Sequence, residues 1–101
     1  MLLNGDLNGA AASYRAALDY APRSLQANYG LGLVVAQLGI DRHAAELLFR
    51  RVLLLDESHA NAHSSLGDVL MDSSENRTAE ALASFTRALA LNPASLHGAK
   101  R

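Results

Sequence analysis

A pattern that returns twice within 101 residues constrains this chain more than any other feature. Ala10-x3-Tyr14-x2-Ala17-Leu18-x-Tyr20-x-Pro22 recurs as Ala45-x3-Phe49-x2-Val52-Leu53-x-Leu55-x-Glu57 and again as Ala81-x3-Phe85-x2-Ala88-Leu89-x-Leu91-x-Pro93. The offsets are 35 residues, from Ala10 to Ala45, and 36, from Ala45 to Ala81. Between these segments lies a second unit, Leu31-Gly32-x2-Val35 followed by Gly39, which is matched by Leu66-Gly67-x2-Leu70 with Ser74 in the equivalent turn. Each period therefore holds two different patterns. A repeat of this length is one supersecondary unit that cannot bury its apolar face alone and must stack on its neighbours.

Both patterns space their apolar residues for helices. Leucine and alanine, 19 of each, fill 38 of the 101 positions, against two Pro and seven Gly, so propensity points the same way and an all-β fold is excluded. The pattern predicts helices over 6–20, 24–38, 41–54, 58–71 and 77–91. Asp6, Ser24, Asp41 and Ser58 can cap them at the start, Gly5 and Gly39 suit the left-handed residue after a helix end, and Pro22 and Pro93 forbid continuation. Small residues at Ala10, Ala45, Ala81, Gly32 and Gly67 let helix axes approach closely, while Tyr14, Phe49 and Phe85 fill the space between successive pairs.

These residues resemble the tetratricopeptide repeat family, in which a 34-residue unit pairs two antiparallel helices through a Leu-Gly, an aromatic, small alanines and a closing proline. The resemblance covers nearly the whole chain. It divides the sequence into 1–24, the later part of one repeat; 25–59 and 60–95, two full repeats; and 96–101, the start of a further helix. Some positions depart from the pattern: Asn28 and His63 replace the bulky aromatic of the first helix, and Glu57 replaces the closing proline of the middle repeat. One extra residue near 40–43 and two near 73–78 lengthen the turns inside the second and third repeats. The implied fold is all-α, an α-solenoid of antiparallel helix pairs forming a right-handed superhelix. Its first helices would line a concave groove. The groove positions are Gln26, Tyr29, Gly30, Leu33 and Gln37 in the second repeat and Asn61, Ser64, Ser65, Asp68 and Asp72 in the third. Tyr29, Gly30 and Leu33 read as an apolar, indented patch beside a polar helix with two carboxylates.

Enzymatic chemistry finds little support. His59 and His63 have zinc-ligand spacing, with Asp56 or Glu57 as a third donor, but the repeat frame makes one a capping and the other a packing histidine. The Gly30-x-Gly32 pair lies inside a helix, away from the strand–loop–helix context of a nucleotide site. Asp68 and Asp72 share one helix face, which cannot place an acid and a base across a cleft. Arg50-Arg51 reads as a solvated face. With no Cys there is no thiolate site, and no nucleophile–base pair or cofactor motif is present. The expectation is a non-enzyme without cofactor or metal.

The net charge of −1 gives no footprint for nucleic acid. The longest uncharged run, 24–40, carries Gln26, Asn28 and Gln37 and falls short of a membrane span. Met1-Leu2-Leu3 before Asn4-Gly5-Asp6 is too short for a signal-peptide core, which favours the cytoplasm and makes glycosylation at Asn76-Arg77-Thr78 improbable.

The resemblance implies a scaffold that binds a partner peptide or helix in its groove, with an apolar anchor near Tyr29 and a basic residue near Asp68 and Asp72. The basic and Asn set with which one subclass grips chaperone C-termini is missing, since Tyr29, Leu33 and Ser65 stand in its place and only Arg101 fits. The alternative is a regulatory or substrate-docking arm of an enzyme whose catalytic domain lies elsewhere. Because 1–24 and 96–101 are partial repeats, the chain is expected to be a piece of a longer array, or to self-associate through exposed repeat ends.

Overall fold

The structure, a computed structural model, describes residues 6–92. Five helices follow one another: α1 (Leu7–Tyr20), α2 (Leu25–Leu38), α3 (Arg42–Leu55), α4 (Ala60–Met71) and α5 (Thr78–Leu91). All five predicted helices are present, within two residues at each end. Ser24 Oγ accepts from the Ala27 N–H at 3.1 Å, and Asp41 Oδ1 accepts from the Ala44 N–H at 3.0 Å, as N-caps do. Gly39 closes α2 with φ of +69°, a left-handed conformation that a residue with a Cβ adopts at a cost.

Two predicted caps differ. Asp6 makes no side-chain cap bond. At α4 the cap is His59, whose Nδ1 accepts from the Ala62 N–H at 3.0 Å, because the Asp56 carboxylate takes the Ser58 N–H at 3.0 Å and draws that residue into the preceding turn. The expected Gly5 cap, the Pro93 stop and the helix beginning at 96 lie outside the described residues.

Each helix packs against the next in sequence, and short turns make successive helices antiparallel. In addition α2 touches α4, whereas among the described residues no such contact joins α1 to α3 or α3 to α5. First helices thus form the inner layer and second helices splay outside, the arrangement of an α-solenoid. The fold class expected from the repeat is the one observed.

Packing follows the small-beside-large pattern. A Cβ added at Gly32 would stand 2.7 Å from Phe49 Cε1, and one added at Gly67 would stand 2.7 Å from Phe85 Cε1, so each glycine is the hollow that seats its repeat's aromatic ring. Ala45, Val52, Ala62, Ala81 and Ala88 are fully buried around them. Phe49, in the middle of the stack, is 1% exposed, while Tyr14 and Phe85 are only half-buried.

The two positions that lack the usual aromatic solve the same problem in different chemistry. Asn28 Nδ2 donates to the Pro22 carbonyl at 3.1 Å and to the Ser24 carbonyl at 2.8 Å. His63 Nε2 lies 3.0 Å from the Glu57 carbonyl, six residues earlier, as Pro22 is six before Asn28. In each repeat a polar ring or amide ties the start of the first helix to the turn before it.

Ser64 is 1% exposed and its hydroxyl has no hydrogen-bond partner. Leaving a polar group unpaired in the interior costs about 1–3 kcal/mol. Ser64→Ala is therefore expected to raise stability by roughly 0.5–1 kcal/mol, read as a higher urea midpoint with an unchanged slope; a lower midpoint would contradict it.

Candidate functional site

The predicted groove residues all fall on α2, α4 and the residue after α4, the inner layer of the solenoid. Their accessibility is uneven. Gln26, Gln37, Asn61, Asp68 and Asp72 are exposed, Tyr29 and Leu33 are half-buried, and Gly30, Ser64 and Ser65 are buried beneath them. The indentation expected at Gly30 is filled: a Cβ there would fall within 2.8 Å of the Tyr14 hydroxyl and closer still to its ring. Tyr14 reaches over from α1 and takes the space that the missing side chain leaves.

Tyr29 joins the two inner helices. Its hydroxyl lies 3.1 Å from Ser65 Oγ, and its ring sits 4.9 Å from the His59 ring and 5.7 Å from the Phe49 ring, tilted in both cases. Tilted aromatic pairs of this kind fix orientation as well as burying area. An accessible hollow lies one turn further along. A recess of about 230 Å³ is lined by Leu33, Ala36, Gln37, Phe49, Ser65, Asp68 and Val69, with an apolar floor and a polar rim. It adjoins a second hollow that shares Ala36, Asp68 and Val69 and adds Arg42, Met71 and Asp72. Asp72 Oδ2 is 3.7 Å from Arg42, with both side chains well exposed, so this pair is weak.

The histidines are engaged otherwise. His59 Nδ1 serves as the cap and His63 Nε2 holds the Glu57 carbonyl, so the pair spaced for zinc has structural duties. Among the described residues no group of three His, Cys, Asp or Glu side chains could hold a metal ion.

An ion cluster on the outer edge was not anticipated from the sequence. Arg77 makes a bidentate pair with Glu46 at 2.8 and 2.9 Å and also donates to Glu80 at 2.8 Å. Arg50, read from the sequence as a solvated residue, donates to Glu46 at 2.9 Å and lies 3.4 Å from Glu80. The cluster bridges α3 and α5 where their backbones do not meet, and it anchors the lengthened turn before α5. The spacings Glu46-x3-Arg50 and Arg77-x2-Glu80 were visible signals for its two halves; their meeting across 31 residues was not.

These bonds, Arg77 first, hold the Glu46 carboxyl below its ordinary value of 4.5 against the opposing effect of burial. Glu80 is lowered mainly by Arg77, and Arg77 is raised mainly by Glu46. A carboxyl depressed in the folded state contributes stability above its unfolded pKa and loses it as pH falls through the folded value. Glu46→Gln should therefore lower stability at neutral pH by no more than about 1 kcal/mol after solvent screening. The gap from the unaltered chain should close below about pH 4.5; a gap independent of pH would refute the assignment.

Inner and outer helical layers with a lined recess on the inner one define a helical-repeat module. The chain belongs to the tetratricopeptide repeat family, whose model matches residues 3–47 and 41–96. That family generally mediates protein–protein interaction and is typically non-catalytic. No curated protein matches the chain. Among the described residues no helix is long and apolar enough to cross a membrane.

Proposed function

We propose that the inner face of α2 and α4 binds a segment of a partner protein, with an apolar side chain in the recess beside Leu33 and a basic residue opposite Asp68 and Asp72. The observation that carries this reading is the recess itself. Leu33, Gln37, Ser65 and Asp68, four of the ten positions drawn from the repeat frame, line it together with Ala36, Phe49 and Val69. An apolar floor gives affinity and the rim charge selects sign. Tyr29, bonded to Ser65, then acts as the strut that sets the spacing of α2 and α4, and the anchor site lies beside Leu33, one turn further along.

Phage selection of random 12-residue peptides on the intact chain tests this. The expected consensus pairs an apolar residue with Lys or Arg within a few positions. Charge reversal at both Asp68→Lys and Asp72→Lys should weaken a selected peptide on the order of tenfold at low salt, and Leu33→Ala should weaken it further. A consensus without basic residues, or affinity indifferent to both changes, would sink the reading.

A second reading, stacking of copies or of further repeats on α5, is favoured by one comparison. Leu53 in α3 packs against the core, whereas its repeat equivalent Leu89 in α5 is exposed, as is Leu82. Sedimentation that stays monomeric up to high micromolar concentration, unchanged by Leu82→Ser with Leu89→Ser, would exclude association of copies there.

A further inference from the structure

The outer face of α3 carries two large apolar side chains for which the fold has no use. Leu47 is 68% exposed and Leu54 is 87% exposed. They stand seven residues apart, hence on one side of the helix and about 10 Å apart along it. The end of the array does not account for this exposure, since α3 lies between α1 with α2 on one side and α4 with α5 on the other. Nor does the repeat require it: the equivalent positions are Ala12 and Asp19 in α1, 35 residues earlier, and Ala83 and Ala90 in α5, 36 residues later.

Between the two leucines, four residues after the first and three before the second, stands exposed Arg51. Among the described residues no carboxylate pairs with it, although Arg50 beside it is held by Glu46 and Glu80. Exposed His43 lies one turn before Leu47 on the same side. The stripe is therefore apolar, basic, apolar along a straight line.

We propose that Leu47, Arg51 and Leu54 form a second docking surface, on the side of the solenoid away from the groove, for an amphipathic partner helix. That helix presents two apolar side chains about two turns apart with an acidic residue between them. The spacing follows from helix-on-helix contact, where residues at i, i+4 and i+7 lie along one face. The acidic residue follows from charge complementarity with Arg51. A second copy using this same face is disfavoured, because antiparallel pairing of α3 with itself sets Arg51 against Arg51.

The test uses the whole chain, labelled for amide resonances, and a stapled alanine–glutamine helix of about four turns bearing two leucines seven apart with glutamate between them. Shifts are expected to cluster from His43 to Leu54 on α3 and to spare α2 and α4. Leu47→Ser combined with Leu54→Ser should weaken binding at least roughly tenfold, and replacing the peptide glutamate by lysine should weaken it about threefold. Arg51→Glu should reverse that preference in favour of the lysine peptide, an outcome that loss of fold cannot imitate. No saturable binding, shifts confined to α2 and α4, or an Arg51→Glu chain that keeps the glutamate preference would overturn the proposal.

Discussion

Phe49→Ala is expected to lower stability by about 3–5 kcal/mol, the range for removing a sealed aromatic ring whose cavity cannot close. Phe49 is 1% exposed, sits in the hollow of Gly32, packs at 5.7 Å against Tyr29 and floors the recess of the proposed groove. For a domain of this size, whose whole stability is about 5–15 kcal/mol, that is a large share. The measurement is the urea midpoint followed by helical circular dichroism. Phe85→Ala should cost less, because Phe85 fills the same hollow at Gly67 but is only half-buried. Equal losses at the two rings, or a loss below about 1 kcal/mol at Phe49, would mean that the centre of the stack is not where its cohesion lies.

The same pair gives a sharper result as a cycle. Gly32→Ala alone gains helix propensity of about 1 kcal/mol but drives a Cβ into the Phe49 ring, which buried packing holds in place. In the presence of Phe49→Ala the clash is gone and the propensity gain remains. Gly32→Ala should therefore destabilise the unaltered chain and stabilise the Phe49→Ala chain. Such a change of sign is the signature of direct contact.

Much of this architecture was legible because repetition supplies its own check. The repeat pattern gives Phe49 and Phe85 one role, filling the space between successive pairs, and each ring rests on the glycine of its own repeat's Leu-Gly unit. Ser24 and Asp41 were readable as caps because the preference is local chemistry. Ser58 has the same local chemistry, but Asp56, two residues earlier, competes for its backbone, and His59 takes the cap. Gly30 shows the limit more plainly. Its smallness predicts an opening in the groove, but Tyr14 on α1 occupies that space. Likewise Glu46 and Arg77, 31 residues apart, meet through the splay of outer helices that no short-range pattern encodes. The repeat frame gives the candidate groove only as a set of positions, and the hollow at Leu33 takes its floor from the neighbouring ring of Phe49.

Asn28→Asp should be the most damaging polar change, about 3–5 kcal/mol at neutral pH, because it leaves an uncompensated charge in the interior. Asn28 is completely buried, and its amide donates to two backbone carbonyls at 2.8 and 3.1 Å. Its other atom, Oδ1, is buried without a partner. A carboxylate has no hydrogen to give either carbonyl, so three oxygens would face one another where an amide now binds two of them. The protonated carboxyl can restore one of the bonds. Its pKa in the folded state must then lie above the unfolded value of about 3.9. A raised acid destabilises the fold above its unfolded pKa, most fully once pH exceeds the folded one, and the penalty shrinks as pH falls toward about 4. The Asn28→Asp chain should thus recover relative to the unaltered chain on acidification. This is opposite in sense to native Glu46, whose contribution is lost over the same descent. Stability measured across pH 4–8 separates the two, and an Asn28→Asp penalty that is small, or constant with pH, would show that the amide is not the tie between α2 and the Pro22 turn.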